Sequence, residues 1–308
     1  MHVETDLSAV DRSVAAIIVT FNPDVAALMR LVNCLESDAC DYLVVDNASC
    51  NLAEFGPRLQ AGARCRALEV LPQNEGLASA LNRGLRWLQE AGYAHALLFD
   101  QDSSISPGFH QRMLQALDEA RLSSDLPVAA LGPRIENPVT GRRTPFKDHD
   151  RWFLRSDREV LPGSGLYRVG FLITSGTLLD LECLDDVGYM KESYFIDNVD
   201  LEWCFRARSR SYALLGTDSA TLYHRIGEDS RNPLVRRGLM VNHGPARSYY
   251  STRNRLDLYR QQHTPFNWKW RDCIRFALKS LGLMIFSPQR REYWRNIRRG
   301  IADSGGLG

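Results

Sequence analysis

The run Leu97-Leu98-Phe99-Asp100-Gln101-Asp102 is apolar for three residues and then turns abruptly acidic. Such a run fits a strand buried on both faces, whose acidic end lies at the open edge of a sheet, where α/β folds bind their ligands. Two earlier segments repeat the design. Val14 to Thr20 is apolar, rich in β-branched residues, and leads into the turn and helix start Phe21-Asn22-Pro23-Asp24. Tyr42 to Val45 ends in Asp46-Asn47-Ala48-Ser49. Helical patterns run from Val25 to Leu35 and from Gly76 to Leu88, a third strand fits residues 66 to 71, and the acidic strand begins near Ala94. Short strands alternating with crossover helices predict an α/β fold with a parallel sheet covered on both faces.

Two carboxylates one residue apart can hold a hard divalent cation that bridges nucleotide phosphates. A solvated Asp pair in a turn fits the same residues. The chain has no G-x-x-x-x-G-K-[ST] pattern, and the turn from Thr20 to Asp24 has no glycine, which argues against a phosphate-cradling loop. At 308 residues and 44% hydrophobic content, one main domain with an appendage is expected. The 38 basic and 37 acidic residues nearly cancel, which removes the case for a nucleic-acid partner. The seven cysteines are odd in number and form no C-x-x-C pair, as expected of reduced cytosolic thiols rather than a disulfide frame or zinc site. Met1 to Arg12 carries three acids and no apolar signal core, and no run approaches the ~18 apolar residues of a membrane span.

Taken in order, Val19-Thr20-Phe21-Asn22, Val44-Val45-Asp46-Asn47-Ala48-Ser49, Asn74-Glu75-Gly76 and Asp100-Gln101-Asp102 resemble the motifs of inverting family 2 glycosyltransferases. Phe99 to Ser103 and Tyr194 to Cys204 look like the bacterial rhamnosyltransferases of cell-surface polysaccharide synthesis, and the resemblance covers roughly residues 14 to 230. It implies a GT-A fold, α/β with a mixed, mostly parallel sheet flanked by helices, over residues 1–245, followed by a helical extension over 246–308. The implied donor is dTDP-L-rhamnose and the implied acceptor a lipid-linked glycan, as in O-antigen synthesis. A UDP-hexose or UDP-galactofuranose donor is the alternative within the fold. A catalytically silent sugar-nucleotide-binding subunit is the alternative outside enzymology.

The resemblance also assigns residues. Thr20, Phe21, Asn22, Asp46, Asn74, Gly76, Asp100 and Gln101 would line the nucleotide, with Asp46 on the pyrimidine or its ribose and Asp100 acting on the ribose or through water. Asp102 and His224 would hold Mg²⁺ or Mn²⁺ at the diphosphate; a lone histidine is otherwise more often structural. The family's Glu-Asp-x-Asp, whose middle acid is the base, aligns with Asp197-Asn198-Val199-Asp200. Asn198 cannot accept a proton at neutral pH, so the task passes to Asp197 or Asp200, with Asp197 preferred as nearer the helix entrance. Asp197 and Asp200 would share a face if a helix starts there, although Asp197 also fits a helix cap. Ser175 and Gly176, inside an extended apolar stretch from Tyr167 to Leu179, and Trp203 and Arg206 would meet the donor or acceptor sugar. A strand with a bulge at Gly176 and a core-packed Trp203 fit the same positions.

Beyond Gly244 the character changes. Tyr249-Tyr250 with Arg253-Asn254 form a Y-Y-x-x-R-N pattern that recurs in the resembled enzymes. Ile274, Leu278, Leu281 and Ile285 make an apolar stripe beside Arg271, Arg275 and Lys279, and Trp294, Ile297 and Ile301 oppose Arg291, Arg295 and Arg298. Basic amphipathic helices with an interfacial Trp suit an anionic membrane surface, here the inner face of the cytoplasmic membrane, with a cytoplasmic, peripheral protein. A packed helical hairpin, or a homo-oligomer interface, fits the same pattern.

Overall fold

The structure is a computed structural model describing residues 13–148, 155–224 and 244–307. Its first half follows the strand–helix alternation. All seven residues of β1 (Val14–Thr20) are buried. Ala15, Ile17 and Val19 enter one core, Ala16 and Ile18 the other, as the two-residue period of a strand covered on both faces requires. Each fully buried Ile or Leu contributes about 1.5–3 kcal/mol. Helix α1 (Val25–Ser37) starts at Asp24, whose carboxylate accepts a hydrogen bond from Ala27 N (2.8 Å), and it buries Leu28, Leu31, Val32 and Leu35 on one face. Next come β2 (Asp41–Asp46), α2 (Leu52–Gln60), β3 (Cys65–Val70), α3 (Leu77–Glu90) and β4 (His95–Asp100). Strands β3, β2, β1 and β4 are parallel neighbours in that order. Thr20 pairs with Asp46 and Val19 with Asp100, so the acidic strand ends meet at one edge.

The second half is less regular. It comprises β5 (Ser104–Ile105), α4 (Phe109–Ser123), β6 (Val128–Glu136), a small ladder of β7 (Lys147–Asp148) and β8 (Arg155–Ser156), β9 (Leu166–Arg168), β10 (Leu178–Asp180), α5 (Leu184–Val187), α6 (Val199–Ser209) and β11 (Ala213–Tyr223). The main sheet runs β3-β2-β1-β4-β10-β6-β11-β5, with β9 also on β11. Because β10 is antiparallel to both β4 and β6, the sheet is mixed but mostly parallel, as the resemblance to the GT-A fold implies. The stretch from Tyr167 to Leu179 is not one strand. It breaks between β9 and β10 at Gly176, whose φ of +77° suits glycine and where a Cβ would lie 2.8 Å from Pro133 Cγ.

Three helices complete the chain: α7 (Pro245–Arg260), α8 (Phe266–Phe286) and α9 (Arg290–Asp303). They are joined to the sheet through side chains. Leu258 and Trp268 enter the core, Trp268 meeting Phe205 edge-on at 5.2 Å, and Asp257 accepts from Lys191 Nζ (2.8 Å) and Tyr194 OH (2.7 Å). Helix α8 inverts the usual pattern. It buries Asp272 and Ser280, with Asp272 taking Arg255 Nε (2.6 Å) and Tyr259 OH (2.8 Å), while Ile274, Leu278, Leu281 and Ile285 are exposed. No helix among the described residues is long and apolar enough to cross a membrane.

Candidate active site

The loops after β1, β2 and β4 are tied into one rim. Thr20 Oγ1 donates to Asp46 Oδ1 (2.8 Å), and Ser49 donates to the same carboxylate through Oγ (2.5 Å) and N (2.8 Å). Ser49 Oγ in turn accepts from Asn22 N (2.8 Å), and Asn22 Oδ1 accepts from Cys50 N (2.8 Å). Gln101 bridges to the β1 loop, accepting from Phe21 N (2.7 Å) and donating to Phe21 O (3.3 Å). Asp46 and Thr20 are fully enclosed. The expectation that Asp46 faces a base or ribose is corrected: both its oxygens are engaged inside the rim, where it positions the two loops. Phe21, 45% exposed, presents the free apolar ring of this rim. Asn74 Oδ1 accepts from Gly76 N (3.0 Å), and Leu77 N donates to Phe195 O (2.6 Å), joining the turn before α3 to the loop before α6. Gly76 has φ +88°, and a Cβ there would come within 2.6 Å of Phe195 O.

The acidic pair divides its labour. Asp100 is partly buried, accepts a hydrogen bond from the buried Ser175 Oγ, and has its pKa raised by burial, against the opposing effects of Ser175 and the nearby His224. Asp102 is exposed. Strand β5 pairs with the end of β11 through Ser104 and Tyr223, so His224, the next residue, lies on the side of Ser103 and Asp102. His224 Nδ1 is buried with no hydrogen-bond partner, the kind of orphan that a ligand satisfies. No group of three or more His, Cys, Asp or Glu side chains among the described residues is arranged around a metal position. A free carboxylate and an orphaned imidazole beside it still fit a cation that takes its remaining oxygens from a substrate's phosphates.

Opposite these residues is an unusual loop. Phe195, Asp197 and Asn198 all have φ near +60°, a region that costs a non-glycine residue about 1–2 kcal/mol, least for Asn and Asp. Asn254 holds it: its buried Nδ2 donates to Tyr194 O (2.7 Å), Ile196 O (2.8 Å) and Asp197 O (2.8 Å). Arg253 donates to Ser193 O, and Tyr250 stacks on Phe195 at 4.8 Å. Sequence reasoning had singled out Tyr249 to Asn254 as a pattern without giving Asn254 this role. The loop separates Asp197 from the helix that begins at Val199, so Asp197 and Asp200 do not share a helical face and Asp197 makes no cap. Asp197 Oδ1 is engaged by Arg247 through Nε and a terminal nitrogen, both at 2.8 Å, while its Oδ2 is buried without a partner. Asn198 Nδ2 donates to Ser251 O (3.4 Å). Asp200 has its pKa raised to about 6, chiefly by burial and further by the charges of Asp197 and Asp100, against a hydrogen bond from Leu201 N. Asp100, Asp102, Asp197, Asp200, His224 and Arg247 thus form one electrostatic neighbourhood.

Of the four residues expected at the sugar, Trp203 and Arg206 are engaged elsewhere, and Ser175 and Gly176 serve the site from behind. Trp203 is 2% exposed, with Nε1 donating to Gly188 O (2.9 Å), and is core. Arg206 pairs with Glu202 (2.8 Å) and donates to Tyr189 O (2.7 Å) and Val187 O, fastening α6 to the segment after α5. Ser175 supports Asp100 from inside, and Gly176 serves the tight turn against Pro133.

The model of glycosyl transferase family 2 matches residues 15–186, more than half of the chain. This chain belongs to glycosyl transferase family 2. It is 30% identical over 285 residues to the dTDP-rhamnosyl transferase RfbF of Shigella flexneri, covering 92% of each protein. Family membership makes it a glycosyltransferase, similar among bacterial members to rhamnosyltransferases. Solved structures agree on the GT-A-like fold. S. aureus TarS 1-349 superposes with a TM-score of 0.60 at 14% identity, covering 95% of this chain and 80% of that one. The Pyrobaculum calidifontis mannosyltransferase PcManGT, in complex with GDP-Man and Mn²⁺, gives a TM-score of 0.56 at 16% identity over 96% and 76%.

Proposed function

We propose that this glycosyltransferase moves L-rhamnose from dTDP-L-rhamnose to a lipid-linked glycan of a cell-surface polysaccharide, with inversion. The observation that carries the chemistry is the acidic neighbourhood at the sheet edge, in which burial pushes the Asp200 pKa up to about 6. The likeness to RfbF along nearly the whole chain supports the donor. A base with a pKa of about 6 is ionised at neutral pH yet basic enough to assist proton removal. Asp200 therefore replaces Asp197 as the preferred base, since Asp197 is held by Arg247. Setting the family's Glu-Asp-x-Asp on Val199-Asp200-Leu201-Glu202 agrees with this choice, because it puts Asp200 in the middle-acid position that Asn198 had taken.

In this reading the thymidine lies in the rim of the β1, β2 and β4 loops against Phe21, and Asn74 and Gly76 shape its wall. Asp102 and His224 would hold Mg²⁺ or Mn²⁺. When bound, the cation supplies positive charge against the diphosphate leaving group. Asp200 takes the proton of the acceptor hydroxyl. The hydroxyl oxygen forms its bond to the anomeric carbon from the face opposite the diphosphate as the sugar–phosphate bond breaks, and this single displacement inverts the centre.

The exposed stripe of α8, together with the exposed Trp270 and Trp294 and the arginine-rich sequence of α9, supports a membrane-facing role at the inner leaflet, where a lipid-linked acceptor is met. Incubation with dTDP-L-rhamnose, UDP-hexoses and UDP-galactofuranose, in the presence of divalent cation and acceptor glycan, tests the donor. Release of dTDP above the others is expected. Preference for a UDP-sugar overturns the donor, and hydrolysis or transfer of none returns the chain to a silent binding subunit.

A further inference from the structure

Helices α7, α8 and α9 enclose a pocket walled by Arg247, Ser251, Arg255, Lys279, Phe276 and Tyr293. Three cations meet there with only two carboxylates for company. Arg247 pairs with Asp197 (2.8 Å) and Arg255 with Asp272 (2.6 Å), whereas Lys279 has neither a hydrogen-bond nor an ion-pair partner among the described residues. An ammonium between helices whose carboxylate neighbours, Asp197 and Asp272, lie beyond ion-pair distance gains from an anion that reaches it directly. Burial, then the neighbouring Arg255, lower the pKa of Lys279, against the charges of Asp197 and Asp272. Ser251, whose hydroxyl accepts from a terminal nitrogen of Arg255 (3.1 Å), and Thr252 line the same space. Arg247 also touches the transfer site through Asp197, while Leu278 and Leu281, on either side of Lys279 in α8, belong to the exposed apolar stripe. An anion in the pocket would thus lie between the apolar face and the acidic cluster.

We propose that Arg247, Arg255 and Lys279 form a binding site for a phosphate group carried on a lipid, with the lipid chain along the α8 stripe. The proposal rests on the membrane-facing reading of these helices. The phosphate belongs either to the lipid-linked acceptor or to a bulk anionic phospholipid, and the chemistry of recognition is the same, charge-assisted hydrogen bonds from fixed cations.

The test uses the full chain in chelator, so that no cation-bridged diphosphate contact on the donor side contributes. Geranyl diphosphate binding is measured by calorimetry, and phosphatidylglycerol vesicle binding by sedimentation, for wild type, Lys279→Gln, Lys279→Arg and the exposed control Arg298→Gln. Lys279→Gln is expected to weaken geranyl diphosphate binding by about tenfold or more, with Lys279→Arg and Arg298→Gln near wild type. Vesicle binding that survives in Lys279→Gln identifies the acceptor's phosphate as the ligand; vesicle binding lost together with the diphosphate identifies the bulk lipid. Equal affinity of wild type and Lys279→Gln for geranyl diphosphate overturns the site, as does failure of the wild type to bind it. A wild type that ignores vesicles but binds geranyl diphosphate through Lys279 keeps the pocket and removes the membrane reading.

Discussion

Asp102 and Asp200 are carboxylates of one acidic cluster that behave differently because their surroundings differ. Asp102 is exposed, so replacing it costs the fold little, whereas the account makes it a holder of the cation. Asp102→Ala is expected to melt within about 0.5 kcal/mol of wild type while losing transfer and divalent-cation-stimulated nucleotide binding. Calorimetry beside an activity assay in chelator checks both halves, and full activity of the variant removes the assignment. Asp200 carries a folded-state pKa raised from 3.8 to about 6. Its protonated form is the one the fold favours. That contribution is fully present below the unfolded pKa and is lost as pH rises through about 6. Asp200→Asn is therefore expected to stabilise the protein at pH 8 by roughly 1–3 kcal/mol and to change little near pH 4. Denaturant titrations at the two pH values decide, and a destabilised variant at pH 8 contradicts the buried-charge account.

At the scale of elements, the loop from Tyr194 to Asn198 depends on α7. Asn254 gives its amide to three carbonyls of that loop and is wholly enclosed. Asn254→Ala is expected to cost about 1–3 kcal/mol and to lower kcat more than it raises the donor KM, because the loop carries Asp197 and leads into Asp200 rather than the nucleotide rim. Asn254→Asp is expected to be worse than alanine, since a carboxylate would confront three carbonyl oxygens. A ranking with aspartate the milder contradicts the clamp. The sequence announced β1, β2 and β4 because strands buried on both faces must be apolar throughout, and the acids that close β2 and β4 stood out against those apolar runs. It did not announce that β10 runs antiparallel, since three residues carry no direction in their composition. Nor did it announce the left-handed conformations at Phe195, Asp197 and Asn198, which follow from contacts with Asn254 and Gly76 far away in the chain. Trp203 and Arg206 were misread because helical spacing reveals which residues share a face but not which face meets the cleft.

On the whole molecule, the acidic edge of the sheet and the apolar face of α8 are joined through α7 and the Arg247–Asp197 pair. The apolar stripe was legible in the sequence, and its exposure agrees with the surface-facing reading made there; the burial of Asp272 on the opposite side was not legible. Leu278→Gln with Ile285→Gln removes two exposed apolar side chains without touching the core. It is expected to weaken binding to anionic vesicles several-fold and to spare transfer to a short soluble acceptor, and wild-type vesicle binding should fall with salt because exposed charges are screened over about 8 Å at physiological ionic strength. A wild type that ignores vesicles and sediments as a dimer dissociated by the same substitutions assigns the stripe to a second copy of the chain. The central claim is that Asp200 takes the acceptor's proton in a sugar transfer from dTDP-L-rhamnose. Its most direct measurement is the pH dependence of kcat for that transfer in wild type and Asp200→Asn, with donor affinity measured alongside. The account requires a wild-type kcat that falls below an apparent pKa near 6, and a variant slower by roughly 10²-fold or more at neutral pH with donor affinity nearly unchanged. A variant that keeps the wild-type kcat, or a wild type without that acidic limb, contradicts it.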